Sequence, residues 1–165
     1  STLQNLLKNI TEFTKKNKIQ KPLVLKVSPD ITDNEISYII ELITKFNING
    51  VIISNTTDKN RENLSEKYKN ETGGLSGEPL EKISNKLIKK FYREIKGKIT
   101  IIGVGGVNSG LTAYEKLKSG ASLLQLYTGM VYEGPGIVKK IKIELIDILE
   151  KEKIKNVNEI VGTGS

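Results

Sequence analysis

Lys26 stands inside an otherwise apolar run, Leu23-Val24-Leu25-Lys26-Val27-Ser28. On a strand, alternation places Lys26 with Val24 and Ser28 on one face. Burying an unpaired ammonium is costly, so that face needs a partner for the lysine or a wet cavity. The plainer reading is an edge-strand lysine that discourages aggregation. A second apolar run, Val51-Ile52-Ile53-Ser54, leads into Asn55-Thr56-Thr57. Polar side chains at the C-terminal end of a parallel strand line the ligand crevice of α/β folds. Asn and Thr offer both donors and acceptors to a planar polar ligand. Asn55 can equally serve as a turn cap.

The third group is made of glycines. Ile101-Ile102-Gly103-Val104-Gly105-Gly106 heads a stretch that reads as strand, glycine turn, helix, strand, glycine turn and helix, ending at Gly134-Pro135-Gly136. Two successive strand ends, each with a glycine turn feeding a helix, gather backbone N–H groups and the positive ends of helix dipoles. In (β/α)₈ barrels the usual phosphate site follows strands 7 and 8. The pattern therefore fits a phosphate-bearing ligand, or glycines that only make tight connections.

Composition removes several classes of chemistry. The 165 residues contain no Cys, His or Trp. A disulfide framework, a Cys/His metal site, a histidine base and a cysteine nucleophile are thus excluded within this chain. Net charge is +7. The lysines are spread over every helix and no basic run is interleaved with aromatics, which argues against nucleic acid as partner. No apolar run is long enough to span a bilayer.

The elements that must position these groups alternate. Leu3, Leu6, Leu7, Ile10 and Phe13 recur at helical spacing, predicting a helix over 2–17. A strand follows at 23–28. Thr32 and Glu35 form a capping-box pattern that opens a helix to about Phe46. The next strand, 51–54, is followed by a polar segment, 58–71, expected to be a mobile loop that could cover the Asn55 site as a lid. Helices are expected at 80–95, 111–118 and 137–152, and strands at 99–104 and 122–128. The count is four βα units with one helix in front, an α/β class with parallel strands. Such a set builds either a small open doubly wound sheet or half of a barrel.

Five segments, in this order and spacing, resemble the dihydroorotate dehydrogenases. They are Lys26-Val27-Ser28-Pro29-Asp30, Ser54-Asn55-Thr56-Thr57, Glu71-Thr72-Gly73-Gly74-Leu75-Ser76-Gly77 with Pro79-Leu80, residues 101–107, and Gly120-Ala121-Ser122 with Gln125-Leu126-Tyr127-Thr128. The likeness covers about residues 20–160 and is greatest to the membrane-associated, quinone-using class. It implies the C-terminal half, strands 5–8, of an FMN-binding (β/α)₈ TIM barrel that oxidises dihydroorotate to orotate in pyrimidine synthesis. By resemblance, Lys26 stabilises negative charge on the reduced flavin. Ser54 contacts the flavin, and Asn55 and Thr56 hold the orotate ring. Gly77, Gly106, Tyr127 and Thr128 contact FMN, the last three around its phosphate.

The family's catalytic base, a serine in this class, lies in the N-terminal half, outside these residues. Ser28, Ser54 and Ser76 do not occupy the matching position. The expected partners are dihydroorotate or orotate, a quinone, the N-terminal half of the barrel and, through a segment of that half, the mitochondrial inner membrane or a bacterial membrane. Another FMN- or phosphate-binding barrel enzyme, or a non-catalytic half-barrel, are the alternatives.

Overall fold

The computed structural model describes residues 1–59, 61, 62 and 64–165. Asn60 and Asn63, inside the segment expected to be a mobile loop, lie outside the described residues. The chain opens with α1 (Thr2–Lys16), whose first turn is capped by the Ser1 hydroxyl accepting from the Gln4 N–H. It continues through β1 (Val24–Val27), α2 (Asp33–Lys45), β2 (Gly50–Ile53), α3 (Glu66–Lys69), α4 (Glu81–Ile95), β3 (Thr100–Val104), α5 (Gly110–Lys118), β4 (Leu123–Gln125), α6 (Thr128–Glu133) and α7 (Ile137–Lys151). The capping box at α2 is present in both directions. The Thr32 N–H and hydroxyl donate to Glu35 and hold its carboxyl below the usual range.

All strands pair in parallel, in the order β1-β2-β3-β4. A doubly wound sheet needs a reversal of strand order; this sheet has none. The sequential order is that of consecutive strands in a (β/α)₈ barrel, and four βα units make half of one. Val27, Val51, Ile53 and Ile101 are buried in one cluster with Ile39 and Ile43 of α2 and Leu87, Ile88 and Phe91 of α4. Each such side chain contributes about 1.5–3 kcal/mol on leaving water.

The other face of the sheet is barer. The register aligns Lys26, Ile52, Ile102 and Leu123 in one row. Leu123, at the end of that row, is 56% exposed. Alternation accounts for the division, since these residues share the parity opposite to the buried set.

One segment differs from the sequence reading. The expected strand at 122–128 is only three residues long, because the chain turns after Gln125. The Tyr127 carbonyl accepts from both Met130 and Val131, starting α6. The segment 58–71 carries α3, and the Arg61 guanidinium donates to the carbonyls of Glu71 and Gly73.

Candidate functional site

The site is built at the C-terminal ends of the strands. Beyond β2 the backbone stays anchored to both neighbours. The Ser54 N–H donates to the Val104 carbonyl at 3.2 Å, and the Asn55 N–H to the Val27 carbonyl at 2.8 Å. The Ile53–Ser54 peptide bond is cis. The Asn55 side-chain carbonyl accepts from the Thr56 N–H at 2.9 Å. The Asn55 side-chain carbonyl is thus turned back onto its own backbone, and its amide nitrogen has no protein partner among the described residues. Thr57 is fully buried. Its hydroxyl donates to Asp30 Oδ1 at 2.6 Å, while the Asp58 N–H donates to Asp30 Oδ2 at 3.2 Å. The loop after β1 thereby braces the loop after β2.

The glycine-rich segment 72–77 lies against this loop. Thr57 and Leu75 form an antiparallel bridge. A Cβ placed on Gly74 would come within 2.0 Å of Thr56 Oγ1, so only glycine lets the chain pass there. The segment then reaches across to the last strand end. The Ser76 and Thr128 hydroxyls are 2.9 Å apart, and a Cβ on Gly77 would meet Thr128 Cγ2 at 2.9 Å.

At the end of β3 the chain turns through Gly105 and Gly106, with φ of 108° and 73°. A Cβ at Gly106 would approach the Glu81 backbone nitrogen to 3.0 Å. Among the described residues, the N–H groups of Gly105, Gly106, Thr128 and Gly129 donate to no protein carbonyl. Four unpaired donors at adjacent strand ends form a cradle suited to an anion.

These pieces surround one cavity of about 470 Å³. Lys26, Ser54, Asn55, Thr56, Gly77, Gly106, Tyr127 and Thr128 all line it. Lys26 is exposed, with no hydrogen-bond or ion-pair partner among the described residues, so the strand lysine faces a wet cavity. Ser54 is nearly buried at 3% exposure, whereas Tyr127 is open at 77%. Tyr132 also lines the cavity, from a helix too short to show a period in the sequence. Asp30 was legible only as a strand end; its bracing role needs a partner 27 residues away. No helix among the described residues is long and apolar enough to cross a membrane.

The family model described as Dihydroorotate dehydrogenase matches residues 2–149. A protein of Trichodesmium erythraeum named dihydroorotate dehydrogenase (quinone) is 42% identical over 98% of this chain, which spans 45% of that protein. The mitochondrial dihydroorotate dehydrogenase (quinone) of Arabidopsis thaliana is also 42% identical, over 86% of this chain and 31% of its own length. The crystal structure of the Eimeria tenella DHODH in complex with ferulenol superposes with a TM-score of 0.82 and 39% identity, covering 86% of this chain and 38% of that one. The chain thus spans less than half the length of these relatives. With its family model matched over nine-tenths of its length, the chain belongs to the dihydroorotate dehydrogenase family.

Proposed function

We propose that this chain carries half of the flavin and substrate site of a dihydroorotate dehydrogenase that uses FMN and passes electrons to a quinone, in the de novo route to UMP. The observation that carries the reading is the single cavity in which an unpaired lysine, an Asn-Thr pair and an N–H cradle meet. These residues fit FMN. The free N–H groups at 105, 106, 128 and 129 suit its phosphate, and Lys26 suits a ring that becomes anionic on reduction.

Bound FMN supplies the ring that accepts hydride from substrate C6. Lys26 contributes a fixed positive charge beside that ring, an electrostatic role that needs no reorganisation during reaction. Ser54, its N–H held by the Val104 carbonyl, would contact the flavin from the end of β2. Asn55 and Thr56 would hold and orient the orotate ring within the cavity. Gly77, from segment 72–77, and Thr128, at the start of α6, would close the cradle, and Gly106 and Tyr127 would complete the phosphate contacts. The proton at substrate C5 is left to a serine base supplied by the N-terminal half of the barrel. Peripheral attachment to the mitochondrial inner membrane, or to the cell membrane in a bacterium, goes with the quinone as acceptor.

The test is a visible absorption spectrum of the native protein before and after anaerobic addition of dihydroorotate. A flavin band that bleaches is the expected result. A native protein without a flavin band, or one whose band survives dihydroorotate, would overturn the reading.

A further inference from the structure

Lys116, on α5, is fully buried and touches neither the cavity nor solvent. Its ammonium donates to Asn85 Oδ1 at 2.6 Å and to Ser84 Oγ at 3.3 Å, both on α4. Ser84 is fully buried as well. Its hydroxyl donates to the Val104 carbonyl at 2.7 Å, with the Ile53 carbonyl 3.3 Å away. Ile53 and Val104 are the last residues of β2 and β3. The next residues along the chain are Ser54 and Gly105, where the two loops of the cavity begin. The Val104 carbonyl also accepts the Ser54 N–H. One buried polar chain therefore runs from Lys116 to the point where both loops leave the sheet.

The fold makes room for this lysine. A Cβ on Gly103 would fall 2.7 Å from Lys116 Cδ and 2.8 Å from Lys116 Cγ, so a strand-interior glycine admits the lysine stem. No carboxylate pairs with the ammonium among the described residues, and Glu81 favours it only at longer range. A buried ammonium with neutral partners is less favourable for stability than an apolar side chain of its size. Packing alone gives no reason for the charge.

We propose that Lys116 is a positioning residue that, through Ser84, holds the carbonyl ends of β2 and β3 and so sets the spacing between loop 54–56 and the glycine turn 105–106. That these loops bind substrate and flavin phosphate rests on the function proposed above; the positioning itself does not.

The experiment compares the whole native protein with Lys116→Met, which keeps the stem and removes the donors, and with Ser84→Ala, which keeps the charge and breaks the link. Amide hydrogen exchange at Ser54, thermal midpoint and the dissociation constant for FMN are measured on each. The expected result is Ser54 exchange faster by about tenfold in both variants, the scale of one charge-assisted hydrogen bond. Exchange of core amides such as those of Ile43 and Phe91 stays unchanged, and FMN binding weakens by a similar factor. Lys116→Met does not lower the midpoint. Unchanged Ser54 exchange in both variants, or a rise shared by every core amide, overturns the proposal. A wild-type protein that binds no FMN would refute the function proposed above, while the Ser54 amide would still decide the role of Lys116.

Discussion

The Thr57 hydroxyl and Asp30 Oδ1 are joined at 2.6 Å across the loops that follow β2 and β1. Thr57 is fully buried, so removing the acceptor strands a hydroxyl away from water. Asp30→Ala is expected to destabilise the protein by about 1–3 kcal/mol. It should also weaken orotate binding, because Asn55 and Thr56 sit on the braced turn. The double variant Asp30→Ala/Thr57→Val should be more stable than Asp30→Ala alone, since no buried hydroxyl is then stranded, while the Asp58 and Lys59 N–H groups that lose their acceptors lie toward the loop surface. Urea unfolding of all four species measures the coupling, and simple additivity would mean the two residues act independently.

Lys26 makes the opposite case, a charged group with no hydrogen-bond or ion-pair partner among the described residues. Lys26→Ala should leave unfolding stability within about 0.5 kcal/mol, as for surface changes that touch nothing. Flavin reduction by saturating dihydroorotate should slow by about 10²–10³-fold, the usual effect of removing one electrostatic donor. Anaerobic stopped-flow absorbance reads that rate directly. Near-normal reduction would remove Lys26 from the reaction.

Gly73 and Gly74 separate backbone strain from steric displacement. At Gly74 an added Cβ meets Thr56 Oγ1 at 2.0 Å, while at Gly73 it meets nothing within 4 Å but sits at a φ of 109°. Gly74→Ala is expected to push Thr56 aside and lower orotate affinity. Gly73→Ala should lower stability by about 1–2 kcal/mol through its left-handed backbone, with orotate affinity kept. Flavin-monitored orotate titration beside thermal melts checks the pair. Equal loss of affinity in both variants would mean that the whole segment, and not the Thr56 contact, controls binding.

Local signals were legible in the sequence and distant ones were not. Thr32 and Glu35 are three residues apart, and their capping box stands as read. Lys26 announced itself because a lysine in a strand needs a reason, and the cavity supplies one. The short helix α6 was hidden, since six residues are too few to show a period. Asp30 and Thr57 meet only because parallel strands bring their C-terminal ends together. Lys116 looked like one more lysine on a helix rich in charge. The one local hint was Gly103, a glycine inside a strand that marks a close approach without naming what approaches.

The charge state of Lys116 gives the protein a pH dependence of its own. Burial pushes its ammonium down to about 8, against a smaller upward pull from Glu81 on α4. Gly103, against which its stem packs, and Ser84 and Asn85, which accept from its ammonium, carry no charge. The folded pKa lies below the unfolded one, so the unfolded chain holds the proton more tightly. Stability therefore rises as pH climbs from about 8 toward the ordinary lysine range, by about 1.4 kcal/mol for each unit of depression. The neutral amine is a weaker donor to Asn85 and Ser84, so the two loops lose their tie over the same window. Wild-type protein should become more stable while its FMN affinity falls. Other groups titrate there too, but Lys116→Met shares them, so the difference between the two proteins isolates this lysine. Urea unfolding and FMN titration at intervals between about pH 7 and 10 measure both slopes. Parallel curves for the two proteins would show that Lys116 does not titrate in this window.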